Sequence, residues 1–188
     1  MKVEIKNGYC TGNYAIIGGC DDWIEVDELP SKDATELKAY KKRIDGGLEF
    51  DAEKYAVLCC AIQETQLATL KAEKILHSKQ KLEDTLSVTK LISKAHRGVE
   101  KKYSITAAKQ QYLTYEILTA QADASYKPSW NATGEESTDD WTIEELMQLA
   151  VEMKCVVQPL VRKQQKLEKS INKATTIEEL EAIDISFK

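Results

Sequence analysis

The sequence has no run of apolar residues long enough to cross a bilayer as a helix, which takes about 18 or more in succession. Its first residues, Met-Lys-Val-Glu-Ile-Lys, lack the apolar core of a secretory signal peptide. Both absences favour synthesis in the cytoplasm and no membrane partner. The acidic balance, with 26 Lys and Arg against 31 Asp and Glu, argues against general nucleic-acid binding, because proteins that coat nucleic acids are usually basic.

Residues that commonly catalyse reactions or bind metals are few, and they do not cluster along the chain. The two histidines, His77 and His96, have no second histidine or carboxylate at metal-ligand spacing, so we expect exposed surface side chains. The acidic loop from Glu135 to Asp140 lacks the alternating aspartates of calcium loops. We therefore expect a protein that is not an enzyme and has no metal and no cofactor, although residues distant in sequence can still meet in the fold.

The cysteine count is odd, and the spacing matches no zinc or redox motif. Buried, reduced thiols are therefore expected throughout. A disulfide between Cys10 and Cys20, which flank a turn-rich segment, is the alternative. The five cysteines are Cys10, Cys20, Cys59, Cys60 and Cys155.

The last quarter of the chain carries the strongest pattern. From Trp141 to Ile183, apolar side chains recur at steps of three and four, which is the period of a helix that buries one face. Thr142 precedes this stripe as an expected N-cap, and Glu145 follows in the first turn. The spacing leaves open whether the stripe packs within the chain or against other copies. The residues proposed for self-association are Leu146, Met153, Val157, Leu160, Leu167 and Ile171.

The first fifty residues predict short strands. Val3 and Ile5 alternate with charged residues before the turn-forming pair Asn7-Gly8. Asp45-Gly46-Gly47 predicts a hairpin of residues 38–44 and 47–50, because glycine tolerates the positive φ of tight turns. This hairpin carries four basic residues that suit an acidic partner protein or a cell-surface glycan, although lysines that protect a strand edge explain them equally well. They are Lys38, Lys41, Lys42 and Arg43.

The middle of the chain predicts a long helix. Asp51 is the expected cap, and apolar residues recur at near-heptad spacing from Tyr55 to Leu76, weakened by threonines at 65 and 69. The pattern continues to Ala95, and the segment 96–98, His-Arg-Gly, is expected to end the helix. One helix, or two helices broken near residues 78–81, fits equally well. A further helix follows the expected N-cap Thr106, and Thr175-Thr176 are expected to cap a last helical turn. Trp130 and Trp141, near the two ends of the polar loop from Ser129 to Asp140, are expected to pin that loop to the core.

These patterns predict an α+β protein. A small N-terminal β-rich module of short strands and a hairpin is followed by long helices that form a helical hairpin or bundle. The expected segments are a β-rich module at 1–50, a long helical segment at 51–98 and a C-terminal helical domain at 99–188.

Several stretches of the C-terminal half resemble a known group of proteins. They are Tyr103-Ser-Ile-Thr-Ala-Ala-Lys-Gln-Gln, Trp130-Asn-Ala-Thr-Gly-Glu, Trp141-Thr-Ile-Glu-Glu-Leu, Val157-Gln-Pro-Leu-Val-Arg-Lys-Gln-Gln and Ile171-Asn-Lys-Ala-Thr-Thr-Ile-Glu-Glu-Leu. Over about residues 100–185 the chain resembles a domain of unknown function from phage and prophage tail-fibre-region proteins. In addition, Trp23-Ile-Glu-Val-Asp-Glu-Leu-Pro resembles leader segments of small proteins encoded beside phage tail genes.

The resemblance implies a structural or assembly role in a phage tail, baseplate or fibre, with other tail or fibre proteins as partners. It implies no reaction and no functional residues. It also implies residence in the bacterial host cytoplasm during assembly and then in the virion tail, and it favours a trimer if the chain self-associates. The alternatives are an adaptor that binds protein or glycan through the basic hairpin, and a phage-encoded cell-wall hydrolase, which would need an acidic or metal-bearing cleft.

Overall fold

The computed structural model describes residues 2–15 and 23–187. The chain forms two compact units, Met1–Thr69 and Leu70–Lys188, and the boundary between them lies within a long helix. An antiparallel sheet of short strands precedes long helices, which confirms the predicted α+β class.

The first unit is built on a five-stranded antiparallel sheet with the strand order β3-β1-β2-β4-β5. Val3 and Ile5 are buried at alternate positions of β1, as their spacing predicts, and Leu37 of the short helix α1 joins them in the core. Asn7 and Gly8 have φ of 51° and 81° and form the turn between the first two strands. The elements are β1 (Lys2–Lys6), β2 (Tyr9–Ala15), β3 (Trp23–Glu25), α1 (Ala34–Leu37), β4 (Tyr40–Lys42) and β5 (Leu48–Phe50).

The predicted hairpin is confirmed as the pair β4 and β5, with Tyr40 opposite Phe50. The two rings lie 5.2 Å apart between centroids, a cross-strand aromatic contact that supports the register. Gly46 has a φ of +87° in the turn, a conformation that L side chains rarely adopt. Lys38 does not belong to the hairpin, because it is the C-cap of α1.

Helix α2 (Ala52–Val88) begins where expected, with the backbone N–H of Lys54 donating to Asp51 Oδ1 at 2.9 Å. The prediction that it continues to Ala95 is wrong. Residues beyond Val88 instead form the strands β6 (Lys90–Ser93) and β7 (Lys101–Ser104), which pair antiparallel.

The physical reason for this difference is a change in the spacing of the buried residues. It changes from helical periodicity to every second residue. Leu91 and Ser93 are buried, while Ile92 between them is exposed, which is the alternation of a strand. Arg97 and Gly98 both have positive φ, 52° and 70°, so the segment expected to end a helix forms the loop of a hairpin.

Three further helices complete the second unit: α3 (Ala107–Ala122), α4 (Ile143–Lys173) and α5 (Ile177–Glu181). Each begins with a threonine whose side-chain oxygen accepts a hydrogen bond from the backbone N–H three residues later. These N-caps are Thr106, Thr142 and Thr176, as the sequence predicts. At α4 the side chain of Glu145 also accepts from the backbone N–H of Thr142, which completes a capping box.

The core of the second unit lies where the β6–β7 hairpin, α3 and α4 meet. Trp130 and Trp141 are each 5% exposed and stand at the two ends of the polar loop between α3 and α4. Both indoles therefore fasten this loop to the core, as the sequence predicts. The other buried members of the cluster are Leu86, Leu91, Tyr103, Ile105, Leu113, Ala132, Leu146, Leu149, Met153 and Val157.

Two tyrosines of this unit should respond in opposite ways to removal of the hydroxyl. Tyr103 is completely buried and its hydroxyl has no hydrogen-bond partner among the described residues, whereas Tyr126 donates to the carboxylate of Glu116 at 3.0 Å. We expect Tyr103→Phe to change the free energy of unfolding by less than about 0.5 kcal/mol, or to raise it. Tyr126→Phe should lower it, because the carboxylate of Glu116 loses a hydrogen bond.

Urea denaturation followed by tryptophan fluorescence measures both changes. A large loss of stability in Tyr103→Phe would show that the buried hydroxyl has a partner, such as an enclosed water molecule, and would contradict this prediction.

Candidate functional site

The four basic residues predicted as a partner-binding site do not form one uniform cationic surface. Lys41 and Lys42 lie on β4 and Arg43 follows it, but Lys41 Nζ is 3.8 Å from Glu49 and Arg43 is 2.9 Å from Asp45. The hairpin therefore places its own carboxylates beside two of its cations, which weakens its attraction for an acidic partner.

Lys38 lies apart from these three residues along the chain, at the end of α1. Its side chain passes over the backbone of Gly12, where an added Cβ would come within 2.9 Å of Lys38 Cε. The position of Lys38 is thus explained by packing in the first unit as well as by its charge.

The stripe proposed for self-association is covered by the chain itself. Leu146 and Ile171 are completely buried, and Met153 and Val157 are at most 7% exposed. Leu160 packs against the same core, and Leu167 is half-buried. The structure shows these side chains packed within the chain, and Leu146, Met153, Val157 and Leu160 belong to the core that α4 forms with the β6–β7 hairpin and α3.

A different apolar surface lies on α2. We call residues 56–69 the exposed segment, because all of them except Leu58, Cys59 and Leu67 are exposed. From Cys60 to Gln66 seven consecutive residues are exposed, so about two turns of helix have no covered face. Val57 and Ile62 are 62% and 41% exposed.

The composition of the exposed segment is the reverse of what its exposure would lead one to expect. Glu64 is the single charged residue among its 14, and nine of them are Ala, Val, Leu, Ile or Cys. In contrast, residues 71–84 of the same helix carry seven charged residues in 14. A helix face in permanent contact with water is normally rich in charge, so this composition is unusual for an exposed stretch of helix.

Cysteine burial differs from the prediction. Cys10 is buried, but Cys59 is half-buried, and Cys60 and Cys155 are exposed; all four are free thiols. Cys20 lies outside the described residues, so the alternative of a Cys10–Cys20 disulfide does too.

His77 is exposed, as predicted, whereas the prediction for His96 is wrong. His96 is 8% exposed and stacks on Trp141 with ring centroids 4.2 Å apart. Its Nδ1 is 3.3 Å from Glu145 and its Nε2 is 3.6 Å from Asp140. No sequence signal points to this environment, because the periodicity predicts a helix at His96, whereas α2 ends before it, and the two carboxylate neighbours lie more than forty residues along the chain.

These groups join the loop of the β6–β7 hairpin to the start of α4. The backbone N–H of Arg97 donates to Glu145 Oε1 at 2.8 Å, and its guanidinium is 2.7 Å from Asp140. Both ring nitrogens of His96 face carboxylates, and one ring face is covered by Trp141. Both ring nitrogens are therefore engaged by groups of the chain itself, and the arrangement acts as a structural clamp.

The environment of the clamp lowers the pKa of two carboxyl groups. Burial alone would raise the pKa of Glu145, but hydrogen bonds from the backbone N–H groups of Arg97 and Thr142, together with His96, outweigh it and bring the pKa below 4.5. The pKa of Asp140 falls below 3.8, mainly through a hydrogen bond from Thr138 and also through Arg97 and His96. Both side chains are carboxylates at neutral pH.

Within residues 2–15 and 23–187, no group of three or more His, Cys, Asp or Glu side chains is arranged to hold a metal ion. In the same residues no helix has the length and hydropathy required to span a membrane. Comparison with protein-family models, curated proteins and solved structures finds no match to this chain.

The clamp predicts a loss of stability in acid. A carboxyl group with a lowered pKa stabilises the folded state fully above its unfolded pKa, and this contribution disappears as the pH falls through the folded value. Glu145→Gln should therefore lower the free energy of unfolding by about 1–2 kcal/mol at pH 7, since it weakens charge-assisted hydrogen bonds. The difference from the unmodified chain should shrink as the pH falls from about 4.5 towards 3.

The matched control is Glu144→Gln, in the same helical turn but exposed, with an expected change below about 0.5 kcal/mol. Urea denaturation at several pH values provides the comparison. Equal effects of the two substitutions would show that position in the helix, and not the clamp, determines the contribution of Glu145.

Proposed function

We propose that the protein is a non-enzymatic structural or assembly protein that self-associates through the exposed segment of α2. The observation that carries this proposal is that residues 56–69 contain nine apolar residues and a single charge, and that the helix is exposed on all sides from Cys60 to Gln66. Burial of apolar side chains away from water is favourable by about 25 cal/mol per Å² of apolar area. Contact with another protein chain would bury the apolar side chains that the fold leaves exposed.

A second copy of the chain is the partner that this surface suits best. Two copies bring together nearly uncharged surfaces, so no strong like-charge repulsion opposes their contact. The near-heptad series from Tyr55 to Leu76 gives each copy a seam that can pack against the same seam of another helix. Glu64 lies between the seam positions 62 and 65, on the outer side of such a pair, where its charge stays in water.

Two features of the exposed segment lower its intrinsic stability as a free helix. Ile62 and Thr65 are β-branched, and the hydroxyls of Thr65 and Thr69 donate to carbonyl oxygens four residues earlier, which offers the backbone little support. Helices of this kind usually owe their stability to packing. Contact with another copy supplies it, and the threonines in the seam keep the association moderate in strength.

The place of this assembly, in a phage or prophage tail, baseplate or fibre, rests on the sequence resemblance over about residues 100–185. The same resemblance favours a trimer over a dimer. Gene context tests this part of the proposal separately. A tail-fibre reading frame adjacent to the gene supports it, and a neighbourhood without phage structural genes counts against it while leaving self-association untouched.

Self-association is tested by a pair of substitutions that add the same charge at two consecutive positions, one in the seam and one outside it. Ile62→Glu places a carboxylate in the seam and should weaken association by roughly a hundredfold, because a buried unpaired charge is costly. Gln63→Glu places it next to the seam on the exposed outer side and should leave association nearly unchanged. Light scattering coupled to size-exclusion chromatography gives the molar mass in each case.

The unmodified chain should exceed the 21.2 kDa of the monomer at micromolar concentration. A strictly monomeric chain would overturn the proposal, and so would equal effects of the two substitutions. Circular dichroism of each variant distinguishes lost association from lost folding.

A further inference from the structure

A small polar pocket in the second unit has no role in the clamp or in the exposed segment. Its volume is 200 Å³, and its lining includes Lys90, Ser104, Lys109, Trp130, Asn131 and Thr133. Lys90 and Ser104 face each other across the β6–β7 pair, and Lys109 lies in the first turn of α3. The same hairpin and helix that build the core therefore also bring two lysines to one concave site.

The ammonium group of Lys109 is held in place by neutral groups. Its Nζ donates to Asn131 Oδ1 at 2.9 Å and lies 5.0 Å from the centre of the Trp130 ring. The amide nitrogen of Asn131 donates to the carbonyl oxygens of Ala132 and Glu135, each at 3.2 Å, which orients the amide oxygen towards Lys109. These contacts fix the position of the cation and leave its charge uncompensated.

The ammonium group of Lys90 is also held by a neutral group. Its Nζ donates to the carbonyl oxygen of Ser87 at 3.0 Å. Neither Lys90 nor Lys109 forms an ion pair within the described part of the chain, and no carboxylate lines the pocket. The nearby Glu135 is paired with Lys101. In a chain with a net charge of −5, this is a local concentration of positive charge.

The remaining polar groups of the pocket are hydrogen-bond donors. The hydroxyls of Ser104 and Thr133 have no partner among the described residues and are free to rotate towards a bound anion. Two ammonium groups and two hydroxyls match a ligand that carries up to two negative charges on several oxygen atoms. A carboxylate has a single charge and two oxygens, so it would use this set less completely.

We propose that the pocket binds a phosphate group, either as inorganic phosphate or as the phosphate of a small monoester. The pocket shares no residue with the exposed segment, so its occupancy does not depend on self-association.

The experiment is a titration of the intact protein with inorganic phosphate and, separately, with glycerol 3-phosphate, against chloride at matched ionic strength. Two-dimensional NMR follows the backbone amides and the tryptophan indoles. The indole of Trp130 and the amides of Ser104, Thr133 and Gly134 should shift, whereas the indole of Trp141, which does not line the pocket, should not. Tighter binding of glycerol 3-phosphate would identify a monoester as the preferred form, and equal or weaker binding would identify the free anion.

Lys90→Met and Lys109→Met should each weaken binding by roughly tenfold or more, because each removes a charge-assisted hydrogen bond. The matched control is Lys94→Met, which removes a lysine just beyond β6 that pairs with Glu100 at 3.6 Å and does not line the pocket. It should leave affinity within about twofold. The Lys90 variant keeps the result interpretable if the loss of Lys109 disturbs Trp130.

The proposal is overturned if neither phosphate compound shifts the pocket resonances more than chloride does. It is also overturned if Lys94→Met weakens binding as much as the two pocket substitutions, since a general electrostatic effect would then account for the affinity.

Discussion

Burial of the apolar stripe of α4 is the interaction on which the second unit depends. Leu146, Leu149, Met153 and Val157 fill the space against the β6–β7 hairpin and α3, and the loop between α3 and α4 is closed over them by two tryptophans. Because these side chains are used inside the chain, they are not available to another protein. Any association must therefore use a surface that the fold leaves uncovered, and residues 56–69 of α2 form such a surface.

Helix α2 is continuous over its 37 residues, but its two halves differ in composition. Its second half carries alternating charges and buries Ser78 and Leu86 in the second unit. Residues 56–69 carry almost no charge and have no covered face over two turns. Exposure alone would say little, since single apolar residues are common on protein surfaces. Exposure together with the loss of charge is what makes this segment a candidate for a protein contact.

Local signals predicted much of the architecture. The threonine caps at 106, 142 and 176 and the Asp-Gly-Gly hairpin depend on a few neighbouring residues, so the sequence specifies them without knowledge of the fold. The end of α2 was missed, because residues 91 and 92 extend the helical period by chance and only pairing with residues 101–104 makes them a strand. Tertiary pairing overrides local periodicity in such a case.

The candidate sites were less accessible to sequence reasoning, for a related reason. The clamp joins His96 to Asp140 and Glu145, and the lysine pocket joins residue 90 to residue 109 and the loop beyond 130, so both depend on contacts that span tens of residues. The basic hairpin was visible because its residues are adjacent, but the acids that neutralise it, Asp45 and Glu49, had to be located in space. The sequence therefore predicted the basic residues of the hairpin but not the carboxylates that pair with them.

Arg97 occupies a left-handed backbone conformation, with a φ of 52°, that glycine or asparagine would adopt more easily. Its guanidinium contacts Asp140, so the side chain compensates for a backbone geometry that disfavours it. The identities of residues 97 and 140 are consequently coupled. In a related chain that has lost the acid at 140, the reason to keep arginine at 97 is gone, and drift towards glycine or asparagine at that position would relax the turn.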